Sequence, residues 1–348
     1  MIFLQVLTDI LSMNPAEITT LMSELCQPKY RAMQIFEWLH CKNVKSFAEM
    51  DNLPKSLRNE LDNHCFITTQ SVVKKQTSGD GTEKFLMSFA TEGATRPVYA
   101  ESVLMSYKHG TSVCISTQAG CKMGCKFCAS ASGFERSLTA GEYCAQVYNA
   151  QKVKNIVLMG CGEPLDNFDA TIRFIELITH EQGKNIGQRH ITISTCGLIP
   201  QIYALAEKQL QINLAISLHA PNDEVRQELM PVAKANPLHE LIKACRFYIE
   251  KTHRRITFEY ALSRGINDGA FNAKALAKLL QNLLCHVNLI PINEVNKEFA
   301  PTPRRDIEIF ADVLQKNNIR ATIRRSLGGD INAACGQLLG LFENFSVI

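Results

Sequence analysis

Three cysteines, Cys121, Cys125 and Cys128, stand within eight residues of one another in the segment CISTQAGCKMGCKFCAS, and a fourth, Cys114, lies seven residues before the first of them. Thiols packed so closely are costly in a cell unless something ligates them. The spacing C-x3-C-x2-C offers three ligands from one loop. Structural zinc takes four, and the usual spacing brings a second pair from farther along the chain, so zinc is the lesser reading. Thiolates also hold iron–sulfur clusters, normally four to a cubane. Three leave one iron open, which suits a cluster that binds a substrate or cofactor better than one that only passes electrons.

The elements that must carry such a loop show in the hydrophobic pattern. Short apolar runs read as strands near 112–117 (SVCIST), 155–160 (NIVLMG), 190–195 (HITIST), 212–218 (INLAISL), 255–262 (RITFEYAL) and 286–292 (HVNLIPI), with amphipathic helical segments between them and a late strand, RATIRR. Strand and helix in regular alternation predict an α/β fold: a parallel sheet with right-handed crossovers, doubly wound or curled into a full or partial barrel. Either way chemistry collects at the C-terminal ends of the strands. The first strand runs into the cysteine loop, the second into GCGEPLDN with Gly162 and Glu163, the third ends at Ser194 in STCG, and the fourth at Ser217, Leu218 and His219 in SLHA. In SVCIST the alternation places Ser112, Cys114 and Ser116 on one face and Val113, Ile115 and Thr117 on the other, as expected of a barrel strand with a small polar inner face. Cys114 is therefore expected to point inward.

Residues 1–95 have a different texture, with short helical stretches such as PAEITTLMSELC and YRAMQIFEWLH. From about residue 84 a hairpin is expected, turning at Glu92-Gly93. The chain of 348 residues, 46% apolar and 20% charged, divides on this reading into a helical accessory unit (1–95), a barrel (96–300) and a C-terminal extension (301–348). No apolar run approaches the roughly 20 residues that span a bilayer, and the opening MIFLQVLTDI lacks a basic leader, so a cytoplasmic protein is expected. Thirteen cysteines, an odd number, point to metal ligation or thiol chemistry more than to a disulfide framework. The net charge of +3 leaves nucleic-acid binding to local basic groups: Lys152/Lys154, Arg254/Arg255, Arg304/Arg305 and Arg320/Arg324/Arg325.

CKMGCKFC, with Phe127 before its last cysteine, resembles the signature of the radical S-adenosylmethionine (SAM) superfamily, in which three cysteines hold a 4Fe-4S cluster and SAM chelates the fourth iron. GCGEPLDN, ITISTCGLIP, LAISLHAPNDEVRQELMPV, LCHVNLIPIN and IRRSLGGDINAACGQL are similar, in order, to the RlmN family of RNA adenine methyltransferases, whose close relative is Cfr. The resemblance implies a partial (β/α)6 radical SAM barrel with a small N-terminal helical domain. It implies that Cys121, Cys125 and Cys128 ligate the cluster and that Gly162, Glu163, Ser194, Ser217, Leu218, His219 and Asn293 hold SAM. It makes Cys335 the methyl carrier, Cys114 its thiol partner and Glu101 a proton acceptor. Two SAM molecules would serve each turnover, one methylating Cys335 and one supplying a radical, because carbon 2 of adenine is not nucleophilic. The covalent protein–RNA link would be released with a Cys114–Cys335 disulfide, reset by external reductant. The implied substrates are an adenosine of 23S ribosomal RNA and, in some members, the adenosine 3′ of the tRNA anticodon, unstacked to reach the site. A flavodoxin or ferredoxin would donate electrons, and a monomer is expected.

Three features depart from the family pattern: a short segment ASASGFERSLTAGE after the cluster, Cys161 where methionine is expected, and no proline after Asn293. Two alternatives are a Cfr-type carbon-8 methyltransferase and a non-catalytic zinc protein that binds RNA.

Overall fold

The computed structural model describes residues 7–90, 96–108, 110–150, 152–293 and 298–338. Its first part is helical, with α1 (Pro15–Glu24), α2 (Tyr30–Glu37) and α3 (Lys55–His64) packed through Ile18, Met22, Ile35, Phe36, Leu57 and Leu61, all buried. The start of α1 is written into the sequence: Pro15 opens it, Asn14 accepts from Glu17 N–H, and the Glu17 carboxylate accepts from Asn14 N–H. A short parallel pair, β1 (Thr8–Asp9) with β2 (Cys65–Phe66), closes this unit.

From Gln70 the chain is sheet. Strands β3 (Gln70–Thr77), β4 (Glu83–Phe89), β5 (Val98–Tyr107) and β6 (Gly110–Cys114) pair antiparallel in sequence order. A small ribbon, β7 (Gln118–Gly120) with β8 (Phe134–Ser137), brackets the cysteine loop. The main sheet then continues in parallel from β6 through β9 (Val153–Leu158), β10 (Ile191–Thr195), β11 (Asn213–Ser217), β12 (Ile256–Leu262) and β13 (Cys285–Pro291) to β14 (Ala321–Ile323). Helices α4 (Ala140–Tyr148), α5 (Phe168–Thr179), α6 (Ile199–Glu207), α7 (Asp223–Leu229), α8 (Leu238–Thr252), α9 (Ala270–Leu279) and α10 (Arg304–Lys316) lie between successive parallel strands.

Alternation decides the two faces of the sheet. Val113, Ile156, Ile193, Leu214, Ile216, Phe258 and Leu289 are buried in one continuous apolar core with Tyr143, Phe174, Leu205, Leu241 and Phe310 of the helices. The opposite face carries Thr192, Asn213, Ala215, Thr257, Glu259 and Asn288, which line a lumen together with Arg254, Arg255 and Arg324. One side of the parallel array runs on into β5, and β14 is the edge of the other, so the barrel is partial, as expected.

Each strand expected in the parallel array is present, and two details differ. The first strand ends at Cys114, because Thr117 and Gln118 turn their N–H groups onto the Cys161 carbonyl and lead the chain into β7. The sheet also begins at Gln70, well before residue 84. QSVVKKQT carries no alternation because β3 is an outer strand with most residues exposed, and Lys74 and Lys75 keep its free edge charged. The expected β4–β5 hairpin is present, while its turn at Glu92-Gly93 lies outside the described residues.

His40 joins the helical unit to the barrel. It is buried, its Nδ1 lies 2.7 Å from the Tyr148 hydroxyl, and its ring stacks on Phe36 at 4.3 Å. Burial, followed by the positive charge near His180 and Lys184, lowers its pKa from 6.5 to about 3. The unfolded chain takes up this proton near the usual value, so the contribution to stability is whole above that pH and is lost as the pH falls toward the folded value. At pH 5 the loss is about 2 kcal/mol. Thermal melts at pH 7 and pH 5 check this: the melting temperature should fall, and His40→Gln should flatten part of the dependence. Equal slopes for the two proteins would exonerate His40.

Candidate active site

The loop that leaves β6 is pinned before and after its cysteines. Cys121 N–H donates to Gly133 O at 2.7 Å, Lys126 N–H to Leu229 O at 3.0 Å, and Ala129 N–H to Gly336 O at 2.7 Å. Cys121, Cys125 and Cys128 line one cavity. Its other walls come from the strand ends singled out in the sequence: Gly162 and Glu163 after β9, Ser194 of β10, Ser217 of β11 with His219 beyond it, and Asn293 after β13. Two glycines of GCGE allow this convergence. A Cβ on Gly160 would lie 2.6 Å from the Ile115 carbonyl oxygen, and one on Gly162, whose φ is +100°, 2.6 Å from Gln118.

The polar side chains of the rim are already held. Both Glu163 carboxylate oxygens accept backbone N–H groups, from Leu165 at 3.0 Å and from Cys196 at 2.7 Å, so the side chain ties the end of β9 to the end of β10. Burial raises its pKa, and these bonds act against that shift. His219 has φ +58° and is held neutral by burial, its pKa lowered to about 3. Ala261 N–H donates to its Nδ1 at 3.0 Å, which leaves the ring proton on Nε2. Leu218 is not a wall of the cavity: its side chain is in the core, its N–H donates to Glu259 O, and its carbonyl accepts from Ala220. Asn293 donates to the Cys335 carbonyl at 3.2 Å and accepts from Ser326 at 3.0 Å.

Cys335 lies in a wall shared by two cavities. One holds the three clustered thiols; the other adds Cys114, Val103, Met105, Tyr107, Ala333 and Leu338, and the two also share Cys128, Ser130, Met159, Asn293 and Arg324. Cys114 is on the inner face, as its alternation predicted, and packs with Val103, Ala333 and Leu338. Burial, then the neighbouring Cys335, raises its pKa to about 12. Glu101 lines neither cavity. It shares a face of β5 with Val103 two residues on, is buried, and pairs with Lys84 at 3.0 Å.

The basic pairs part company. Lys152, Lys154, Arg304 and Arg305 are exposed, with Arg304 bonded to Glu308 at 2.9 Å, whereas Arg254 and Arg255 face the lumen. Arg324, read in the sequence as a surface grip, belongs to the walls of both cavities and the lumen, and the nearby Cys335, then Glu259 and Cys114, hold its charge against burial. Alternation in RATIRR, which sets Thr322 and Arg324 on one face, was the available signal. Nothing in the sequence pointed to Glu259 or Lys84.

Comparison with known proteins decides the family. Residues 115–274 match the radical SAM superfamily, and residues 8–67 match the N-terminal domain of ribosomal RNA large subunit methyltransferases. The chain is 50% identical over 338 residues to the probable dual-specificity RNA methyltransferase RlmN of Clostridium novyi, covering 95% of this chain and 97% of that one. It is 51% identical over 338 residues to the protein of the same name from Alkaliphilus oremlandii, again over 95% and 97%. The chain is a member of the RlmN family. A crystal structure of a radical SAM methyltransferase from Sphaerobacter thermophilus superposes with a TM-score of 0.90 at 42% identity, covering 96% of this chain and 99% of the other.

RlmN-family enzymes are radical SAM methyltransferases, and their cofactors are a 4Fe-4S cluster and SAM. The donor set here fits. Among the described residues no three His, Cys, Asp or Glu side chains converge on a point as they would for a single ion. A cubane does not ask for that, since each thiolate binds a different iron. Burial keeps the three thiols protonated, with Cys121 raised to about 11, and metal binding would take those protons off. Anaerobic reconstitution with iron and sulfide should give a brown protein, and Cys125→Ala should lower its iron to near zero. A colourless wild-type protein that retains zinc would contradict the assignment.

Proposed function

We propose that this chain methylates carbon 2 of an adenosine in RNA, with Cys335 carrying the methyl group as S-methylcysteine. The observation behind it is the place of Cys335 between the cavity of the clustered thiols and the cavity of Cys114. A carrier must collect its methyl group on one side and be released on the other, and a thiol in a shared wall can do both. RNA as substrate is supported by the relatives' name, a dual-specificity RNA methyltransferase, and by the N-terminal match to ribosomal RNA methyltransferases.

When bound to Cys121, Cys125 and Cys128, the cluster with SAM supplies a 5′-deoxyadenosyl radical able to take hydrogen from a methyl group. The chain's own residues do the rest. Gly162 and Glu163 of the cavity wall would face the SAM amino group, and Ser194, Ser217, His219 and Asn293 offer polar contacts around it. His219, neutral with its proton on Nε2, presents a donor. Leu218 would act only through the backbone bend it fixes. Once the Cys335 methylene carbon is bonded to the base, Glu101 accepts the carbon-2 proton, and one electron would return from the ring to the oxidised cluster, the counterpart of the electron consumed at the start. The Cys114 thiolate then bonds to the Cys335 sulfur. The carbon–sulfur bond breaks, its electron pair stays on the carbon, and a proton completes the methyl group. Two electrons from an external thiol reductant return the disulfide to two thiols. One SAM is consumed as methyl donor and one as radical source.

The substrates on this reading are 23S ribosomal RNA and tRNA, and a flavodoxin or ferredoxin is the electron donor. Arg254 and Arg255 in the open lumen, with the helical unit, are the surfaces for RNA phosphates. On the same reading the chain acts as a monomer in the cytoplasm.

Two measurements test this. Nucleoside mass spectrometry of RNA treated with the reconstituted enzyme should show 2-methyladenosine, and 8-methyladenosine instead would overturn the position. Cys114→Ala, expressed in cells, should accumulate RNA crosslinked through Cys335, and its absence with intact cluster and expression would remove the thiol pairing.

A further inference from the structure

The turn of the β3–β4 hairpin grips the segment that carries Cys335. Ser78 Oγ and Gly79 N–H donate to the two carboxylate oxygens of Asp330 at 2.6 and 3.1 Å, and Gly328 N–H donates to Asp80 at 2.9 Å. Gly328 has φ +67°, and a Cβ there would lie 2.8 Å from the Ala333 side chain and 3.0 Å from Thr82. At the base of this clasp stands Lys84. Its Nζ donates to the Asn332 carbonyl at 3.1 Å and lies 3.0 Å from Oε1 of Glu101. The Lys84 and Glu101 side chains are 7% and 1% exposed. Removing one partner of a buried ion pair leaves an uncompensated charge, so the two side chains hold each other in place.

The pairing register gathers these groups around one valine. Lys84 is opposite Val103 on one side and Cys114 is opposite it on the other, and Glu101 is two residues from Val103 on the same face. Lys84 therefore touches the proton acceptor and, through Asn332, the chain three residues before the methyl carrier.

We propose that Lys84 is a positioning residue, which holds the Glu101 carboxylate, buried and lining neither cavity in this structure, in one register with the carrier segment for the step in which it takes the carbon-2 proton of the covalent adduct. This rests on the reading of Glu101 as proton acceptor given above. In that step the carbon-2 C–H bond breaks, its electron pair stays on the ring, and an O–H bond forms on Glu101. Lys84 exchanges neither proton nor electron.

The experiment uses the full-length protein, reconstituted anaerobically and supplied with SAM, reductant and an RNA transcript containing the target adenosine. Three quantities are followed: S-methylation of Cys335 by mass spectrometry, covalent protein–RNA adduct on a denaturing gel, and methylated adenosine. Lys84→Met should leave Cys335 methylation and iron content intact and lower product about 10²-fold or more, the lower end of what a positioned general base contributes. It should also accumulate adduct, as Glu101→Gln does. Lys84→Gln, which can still donate to Asn332, covers the case in which the methionine variant does not fold and should behave the same way. Lys84→Arg should recover product. Asp330→Ala loosens the clasp without touching Glu101, and should lower adduct and product together. Wild-type turnover by Lys84→Gln, or a parallel fall of adduct and product like that of Asp330→Ala, overturns the proposal. If Glu101→Gln turns over normally, the reading of Glu101 falls and the proposal with it; if Glu101→Gln accumulates adduct while the Lys84 variants do not, only the proposal falls.

Discussion

The site depends on the return of the C-terminal segment across the inner face of the sheet. Cys114 belongs to β6, and Ala333 and Leu338, which share its apolar cluster, come from more than two hundred residues later. Nothing in the local propensities of residues 326–338 would bring them there, since their only regular element is a short 3-10 turn at Gly329–Ile331. They are seated by polar contacts with backbone groups: Ser130 Oγ to the Leu338 carbonyl, Ala129 N–H to the Gly336 carbonyl, Asn293 to the Cys335 carbonyl and Lys84 to the Asn332 carbonyl. Gly336, with φ +82° and the Phe127 carbonyl close by, allows the approach to the cysteine loop. These bonds to the main chain of the segment add to the Asp330 side-chain bonds and the apolar packing of Ala333 and Leu338.

Much of the architecture was legible in the sequence because the parallel strands are buried on the helix-covered face and polar on the other. That contrast survives in INLAISL, where Leu214 and Ile216 enter the core while Ala215 and Ser217 face inward, and in SVCIST, where alternation alone set the direction of Cys114. The cysteine loop was legible from spacing, and the rim from what stands at each strand end. Legibility failed where the structure is made by long-range contact. QSVVKKQT reads as polar chain because an outer strand needs no apolar face. Lys84 and Glu101 look like two ordinary charges seventeen residues apart, and only the antiparallel register of β4 and β5 buries them together. Arg324 looked like surface because the sequence does not show that the C-terminal segment covers the inner face next to β14.

The rim is also more finished than a row of polar side chains would suggest. Glu163 is bound by two amides, His219 by the Ala261 amide, and Leu218 by a neighbouring carbonyl, so the cavity presents a fixed arrangement before anything enters it. Groups that are already oriented need not be ordered at the moment of binding, and such preorganisation is where a site gains selectivity without adding contacts.

The open side of the barrel carries a topological consequence. A closed barrel can be entered only from its ends, which suits a free small molecule. A residue in the middle of a long polymer cannot be threaded through such a ring without passing an entire chain end through it. Here β14 does not pair with β3, so the sheet itself does not close, and residues 326–338, held to the β3–β4 turn and to Lys84, run between the two sides in place of a strand. The two sides are joined there by a few polar contacts and not by a strand ladder.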